Sequence, residues 1–236
     1  MRQIFLGFLI FLFLFGCGER LADGQATNIL IMGDSMLASN RGGQQAVGNV
    51  LETELSIEVI DKSVSAARYF YFLPISGAAG LRIPAQYDQR KWDWVVMNGG
   101  GNDLLFGCGC GFCSNMLDRL VSADGRAGTI PKFVNEVRKS GARVIYLGYL
   151  RNPGTFTPIK GCRAAGDELD RRLAKMAQFD NGVTFVPLAD LVPNGDWSYH
   201  QIDRIHPSVK GSAAIAKRVA EVIRAAPKAR PQVKRK

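Results

Sequence analysis

Asn28-Ile29-Leu30-Ile31-Met32-Gly33-Asp34-Ser35-Met36 opens the body of the chain and decides its class. The short apolar run Asn28-Ile29-Leu30-Ile31-Met32, which stops at Gly33, reads as a strand buried on both faces. A half-solvated antiparallel strand would alternate instead, so the pattern is that of a parallel sheet. Working outward, the same signal recurs in alternation with helical stripes. Val47, Leu51 and Leu55 recur every four residues and mark one helix face, residues 57–60 read as a second strand, and Trp94–Met97 as a third that ends in Asn98 and a glycine cluster. Thr129 is expected to cap a helix bearing Phe133, Val134 and Val137 that stops near Gly141. Residues 143–149 read as a fourth strand, Leu169, Leu173 and Met176 as the next stripe, and Val183–Val186 as a fifth strand. Pro207 suits the first turn of a last helix carrying Ile215, Val219 and Ile223. Five strands alternating with helices predict one α/β domain, a three-layer sandwich with a central five-stranded parallel sheet, over residues 27–226. No internal repeat is visible.

Composition excludes several classes. At 236 residues, 47% hydrophobic and 22% charged, the chain is neither disordered nor fibrous, and it is long enough to bury a core without staples. The net charge of +9 suggests a nucleic-acid binder until it is located. Arg2 lies in a leader, and Lys228, Arg230, Lys234, Arg235 and Lys236 crowd the last nine residues, where no acid stands. Without these six, 24 basic residues face 21 acidic ones, so the excess belongs to the ends and no nucleic-acid partner is expected. The tail 227–236, with Pro227, Pro231 and its cations, is expected to be disordered.

The first residues carry an address. Arg2 precedes an apolar run over residues 4–15 that is broken only by Gly7. That run is shorter than the ~20 residues of a membrane-spanning helix and fits the apolar region of a secretory signal. Leu14-Phe15-Gly16-Cys17 resembles a bacterial lipobox, with Phe15 larger than the pattern prefers. The expectation is a signal peptide over residues 1–16, cleavage before Cys17, and a lipidated Cys17 that anchors the domain to a membrane on the periplasmic or cell-surface side. An uncleaved anchor, or ordinary cleavage near Gly16 or Ala22, is the alternative.

Cysteine usage agrees with export. Setting Cys17 aside leaves Cys108, Cys110, Cys113 and Cys162, an even number, as an oxidising compartment favours. Two disulfides are expected. Zinc held by four thiolates, or one bridge with free thiols, remains open, although the spacing lacks the paired C-x-x-C knuckles of common zinc modules. Connectivity is not legible.

The chemistry should lie past the carboxyl ends of the strands, where open α/β sheets place their sites. Gly33-Asp34-Ser35 follows the first strand. A serine there sits at a helix start where backbone N–H groups face an incoming anion, but the bland reading is a helix cap by Asp34 or Ser35. Gly99-Gly100-Gly101-Asn102-Asp103 follows the third strand. Its glycines would let the backbone approach a ligand and Asn102 offers a side-chain donor, unless the segment is only a flexible turn. Asp203-Arg204-Ile205-His206 follows the fifth, with acid and imidazole three residues apart, close enough on a turn for Asp203 to reach Nδ1 of His206. The other histidine of the two, His200, has no such partner. Arg68-Tyr69-Phe70-Tyr71-Phe72 reads mainly as core and partial surface cover, and less readily as the wall of a substrate groove. No Gly-x-Ser-x-Gly elbow, Gly-x-x-x-x-Gly-Lys loop or His-Glu-x-x-His helix occurs.

Together, Gly-Asp-Ser, Gly-x-Asn-Asp and Asp-x-x-His in this order resemble the SGNH or GDSL hydrolase family. The resemblance implies a flavodoxin-like sandwich and a serine esterase that needs no metal or cofactor and takes an ester substrate, such as a small acyl ester, a lipid, a thioester or an acetylated glycan. It implies Ser35 as nucleophile, His206 as general base and acid, and Asp203 as its orienter. The N–H groups of Ser35 and Ala66 and the side chain of Asn102 would hold the oxyanion. Two positions depart from the family: Met36 stands where leucine is usual, and Ala66 where glycine is, which keeps the donor unless the turn requires φ > 0. An acyl transferase on the same scaffold and an idle binding module are the rival readings.

The mature protein is expected to begin at a lipid-bearing Cys17. Intact mass checks this: an unmodified chain that begins elsewhere, or one that retains Met1, contradicts it.

Overall fold

The run after Asn28 forms β1 (Ile29–Met32), all four of its side chains buried. In the computed structural model, which describes residues 28–71, 75–154 and 156–227, four more strands join it: β2 (Val59–Asp61), β3 (Trp94–Met97), β4 (Arg143–Leu147) and β5 (Val183–Val186). The expected leader, Cys17 and the basic residues from 228 onward lie outside the described residues. All four pairings are parallel, in the order β2-β1-β3-β4-β5. The chain leaves β1 toward one edge, then returns to lay β3 on the other side of β1. The carboxyl ends of β1 and β3 therefore flank the crevice where such sheets bind ligands.

Side chains alternate across the sheet with period two, and the core divides accordingly. Ile29, Ile31, Trp94, Val96, Ile145 and Leu147 face the layer of α1 (Ser35–Ala38), α2 (Val47–Leu55) and α8 (Val209–Ala225), which contribute Leu37, Leu51, Ile215 and Val219. Leu30, Met32, Val95, Met97, Val144 and Tyr146 face the opposite layer. There α4 (Gly101–Cys108), α5 (Ser114–Leu120), α6 (Thr129–Lys139) and α7 (Arg163–Ala177) insert Leu104, Leu117, Phe133 and Leu169. A short α3 (Ile75–Ala78) lies between β2 and β3.

Several expected boundaries move. The second strand starts at Val59 and the fourth ends at Leu147, two residues before Tyr149. Thr129 is the first residue of α6 and makes no cap, since Gly128 precedes the helix with φ +117. Pro207 lies before α8, whose cap is Ser208 accepting from the Gly211 N–H at 3.2 Å. The glycine cluster serves packing, and its Gly101 also lines the cavity at Ser35. A Cβ on Gly99 would collide with Ile83 and Tyr69, and one on Gly101 with the Tyr149 ring.

The four cysteines pair as Cys108–Cys113 and Cys110–Cys162. The first bond closes the turn between α4 and α5; the second ties that turn to the segment entering α7. With its sulfurs bonded in pairs, this cluster offers no thiolates to zinc.

Asp170, on α7, is buried with one carboxylate oxygen 2.8 Å from Arg151 and the other without a hydrogen-bond partner. Burial pushes its pKa up to about 6, against the pull of Arg151. Between about pH 4 and 6 the folded protein thus holds a proton that the unfolded chain has already released, and Asp170 lowers stability as pH rises through that window. Asp170→Asn keeps an oxygen for Arg151 and cannot ionise. Its stability in urea should fall less than wild type between pH 4 and 7, by about 1–3 kcal/mol. An equal or steeper fall contradicts this assignment.

Candidate active site

Ser35 stands where β1 gives way to α1. Gly33 has φ +147, and a Cβ there would collide with the side chain of Asn98, so only glycine fits the turn. Asp34 is the helix cap, its Oδ1 accepting from the Met36 N–H at 3.0 Å. Ser35 is therefore free of capping duty, with its side chain in the cavity and its backbone N–H in the unpaired first turn.

Opposite it, the segment after β5 supplies the imidazole. Ser35 Oγ lies 2.9 Å from His206 Nε2, and His206 Nδ1 lies 2.6 Å from Asp203 Oδ2. The expected turn is present but is not part of a helix: Asp203 Oδ1 accepts from the N–H groups of Ile205 (2.9 Å) and His206 (3.0 Å), with Arg204 between them at φ +58. Burial works to raise the Asp203 carboxyl, but the His206 contact and these two N–H groups outweigh it and hold the group below its ordinary value. An ionised carboxylate on Nδ1 leaves Nε2 as the acceptor for the serine proton.

Ala66 and Asn102 line the same cavity as Ser35 and His206. Asn102, in the first turn of α4, donates one amide hydrogen of Nδ2 to the Ala67 carbonyl at 3.1 Å and keeps the second for a ligand. The Ala66 N–H, like that of Ser35, makes no hydrogen bond among the described residues. Ala66 has φ +63, so the turn does impose the left-handed conformation that glycine adopts without cost, and an exposed alanine bears it. Ser35, Ala66, Asn102 and His206, from four separate segments, thus converge on one opening, with Asp203 behind His206. Met36, the other departure from the family pattern, is buried in the core.

Beneath them lies a buried network that the motifs did not disclose. Asp34 Oδ1 also accepts from Asn98 Nδ2 at 2.7 Å, Asn98 Oδ1 accepts from the Asp34 N–H at 3.0 Å, and Tyr149 OH donates to Asp34 Oδ2 at 2.5 Å. The same tyrosine hydroxyl accepts from the Gly101 N–H at 2.8 Å. Burial raises the Asp34 carboxyl, and Tyr149, Asn98 and the Met36 N–H counter it. Gln86 adds to the support by pairing with both the N–H (2.6 Å) and the carbonyl (2.9 Å) of Gly33. Asn98 could have been suspected as the polar residue that ends an apolar strand. Tyr149 was hidden by reading the fourth strand two residues too long.

The remaining aromatics fall on the bland side. Tyr69 is core, with its hydroxyl 3.0 Å from that of Tyr146, and Phe70 packs against that core. Tyr71 lies under Arg68 at 4.1 Å. None of these lines the cavity, and Phe72 lies outside the described residues. His200 is buried beside Trp197 and away from the opening, and burial lowers its pKa.

Residues 31–214 match the family model of the GDSL-like lipase/acylhydrolase family, a span that includes every position of the cluster. No curated protein matches the chain in sequence. Seventy-nine chains of solved structures do match. TesA is 21% identical over 84% of this chain and 98% of its own, with a TM-score of 0.59. The psychrotrophic esterase EstA from Pseudoalteromonas sp., in a form inhibited by monoethylphosphonate, is 19% identical over 84% and 97%, with a TM-score of 0.57. A lipase from a goat rumen metagenome is 18% identical over 83% and 96%, with a TM-score of 0.53. At these identities the likeness is one of fold.

The strain at Ala66 is testable. Ala66→Gly relieves about 1–2 kcal/mol of left-handed backbone cost and gives back about half of it as unfolded-chain entropy. Thermal unfolding should therefore shift upward by about 1–4 °C. A lowered midpoint would contradict the left-handed turn.

Proposed function

The chain belongs to the GDSL-like lipase/acylhydrolase family and is an ester-hydrolysing enzyme, and from that premise we propose that it is a serine esterase working through an acyl-enzyme on Ser35. Ser35 Oγ attacks the acyl carbonyl while His206 Nε2 takes its proton, and Asp203 stabilises the imidazolium that forms. The negative charge that develops on the carbonyl oxygen is met by the N–H groups of Ser35 and Ala66 and the free hydrogen of Asn102 Nδ2. These donors are in place before the reaction and need not reorganise. His206 returns the proton to the leaving alcohol. It then activates a water that cleaves the acyl bond and regenerates Ser35.

The observation that carries this reading is the unbroken line from Ser35 Oγ through both ring nitrogens of His206 to Asp203, at 2.9 and 2.6 Å, opening on a cavity. The reading extends to place. The apolar leader, the lipobox-like Leu14 to Cys17 and the two disulfides suit an exported domain tethered by lipid to a membrane and acting on esters outside the cytoplasm.

A panel of p-nitrophenyl esters of rising acyl length, run beside acetylated xylan, tests the activity. Ser35→Ala and His206→Ala should each remove nearly all turnover, and their combination should add little, because they act as one unit. Asn102→Ala should lower kcat by about 10²–10³ with KM little changed. Hydrolysis that survives Ser35→Ala at the wild-type rate removes the mechanism.

A further inference from the structure

The cavity that opens at Ser35 encloses about 850 Å³, and its charged lining is lopsided. Arg41, Arg151, Lys160 and Arg163 face it, against a single carboxylate, Asp34, which is buried and occupied by its own hydrogen bonds. Two of these cations are already balanced. Arg41 pairs with Asp61 at 2.9 Å, and Arg151 with Asp167 and Asp170 at 2.6 and 2.8 Å. Lys160 and Arg163 have no carboxylate partner among the described residues.

These two sit close together by construction. Lys160 begins the helical turn Lys160–Cys162 and Arg163 is the first residue of α7, so three positions separate them, the spacing of neighbours on one face. Like charges there repel each other, and the acid four residues after Arg163, Asp167, is already held by Arg151 at 2.6 Å. Between them, Cys162 is bonded to Cys110, just beyond α4, and α4 carries Asn102, Leu105 and Phe106 on another side of the cavity. The disulfide thereby holds the basic pair at a fixed reach from the apolar wall and the oxyanion donor.

We propose that the ester cleaved at Ser35 carries an anionic group, a phosphate or a carboxylate, received by Lys160 and Arg163. Its apolar part lies on Leu105, Phe106 and Ile159. The proposal rests on the reading of Ser35 as nucleophile. A guanidinium takes two oxygens of either anion at once, and an ammonium adds a point charge beside it. A neutral ester would fill the apolar part of the cavity and leave this pair unused.

Two matched substrate pairs test it and distinguish the side of the ester that bears the charge. One is mono-p-nitrophenyl glutarate beside p-nitrophenyl pentanoate, with a carboxylate on the acyl chain. The other is hexanoylglycerol phosphate beside hexanoylglycerol, with a phosphate on the alcohol. In at least one pair the wild-type kcat/KM should favour the anionic member by about tenfold or more. That ratio should fall to near one in the Lys160→Gln/Arg163→Gln double variant and persist in Lys160→Arg. A general loss of activity does not move the ratio. A wild-type ratio near one in both pairs, or a preference that survives the double variant, overturns the proposal. Neutral-ester hydrolysis that persists in Ser35→Ala overturns the nucleophile itself, and this proposal with it.

Discussion

The buried carboxyl group of Asp34 is the constraint on which the site depends. A buried polar group is costly unless it is hydrogen-bonded, and here the donors come from three different parts of the fold. Met36 belongs to the helix after β1, Asn98 ends β3, and Tyr149 stands two residues past β4. Satisfying one buried carboxyl group therefore ties three strand ends together. Tyr149 passes the constraint on, because the hydroxyl that donates to Asp34 also accepts from Gly101 at the start of the helix that carries Asn102. The phenol thus ties the serine turn to the helix that carries the amide donor.

Around this hub the fold spends its unusual residues. Gly33, Gly99 and Gly101 are small because Asn98, Tyr69, Ile83 and Tyr149 occupy the space where a Cβ would stand. Ala66 bears a left-handed backbone so that its N–H stays free at the opening. The disulfides fasten the far wall, where Cys110 and Cys162 join the end of α4 to the entrance of α7.

Much of this was legible in the sequence, for physical reasons. Parallel strands buried on both faces must be apolar runs, so Trp94–Met97 could be read to the residue and Ile29–Met32 to within one; the edge strand Val183–Val186, half-buried in its middle, was also read to the residue. Asp203 and His206 could be paired because three residues on a turn bring acid and imidazole together whatever the fold around them. Tyr149 and Asn98 could not be assigned, because their roles depend on strands that meet only in three dimensions. A tyrosine after an apolar run reads as more strand. Ala66 shows the same limit from the other side. The sequence named the position, but only the backbone reveals that the turn requires φ > 0. Disulfide connectivity was closed to the sequence as well, since four cysteines allow three pairings.

The central claim is that Ser35 is the nucleophile and that His206 activates it. Incubation with an alkyl p-nitrophenylphosphonate followed by peptide mass spectrometry tests it most directly, since such a reagent bonds to an activated serine and stays there. The account predicts one phosphonyl group per chain, on the peptide that contains Ser35, with none taken up by Ser35→Ala and markedly slower uptake by His206→Ala. A stoichiometric adduct on any other residue, or full ester turnover with Ser35 unmodified, would contradict it.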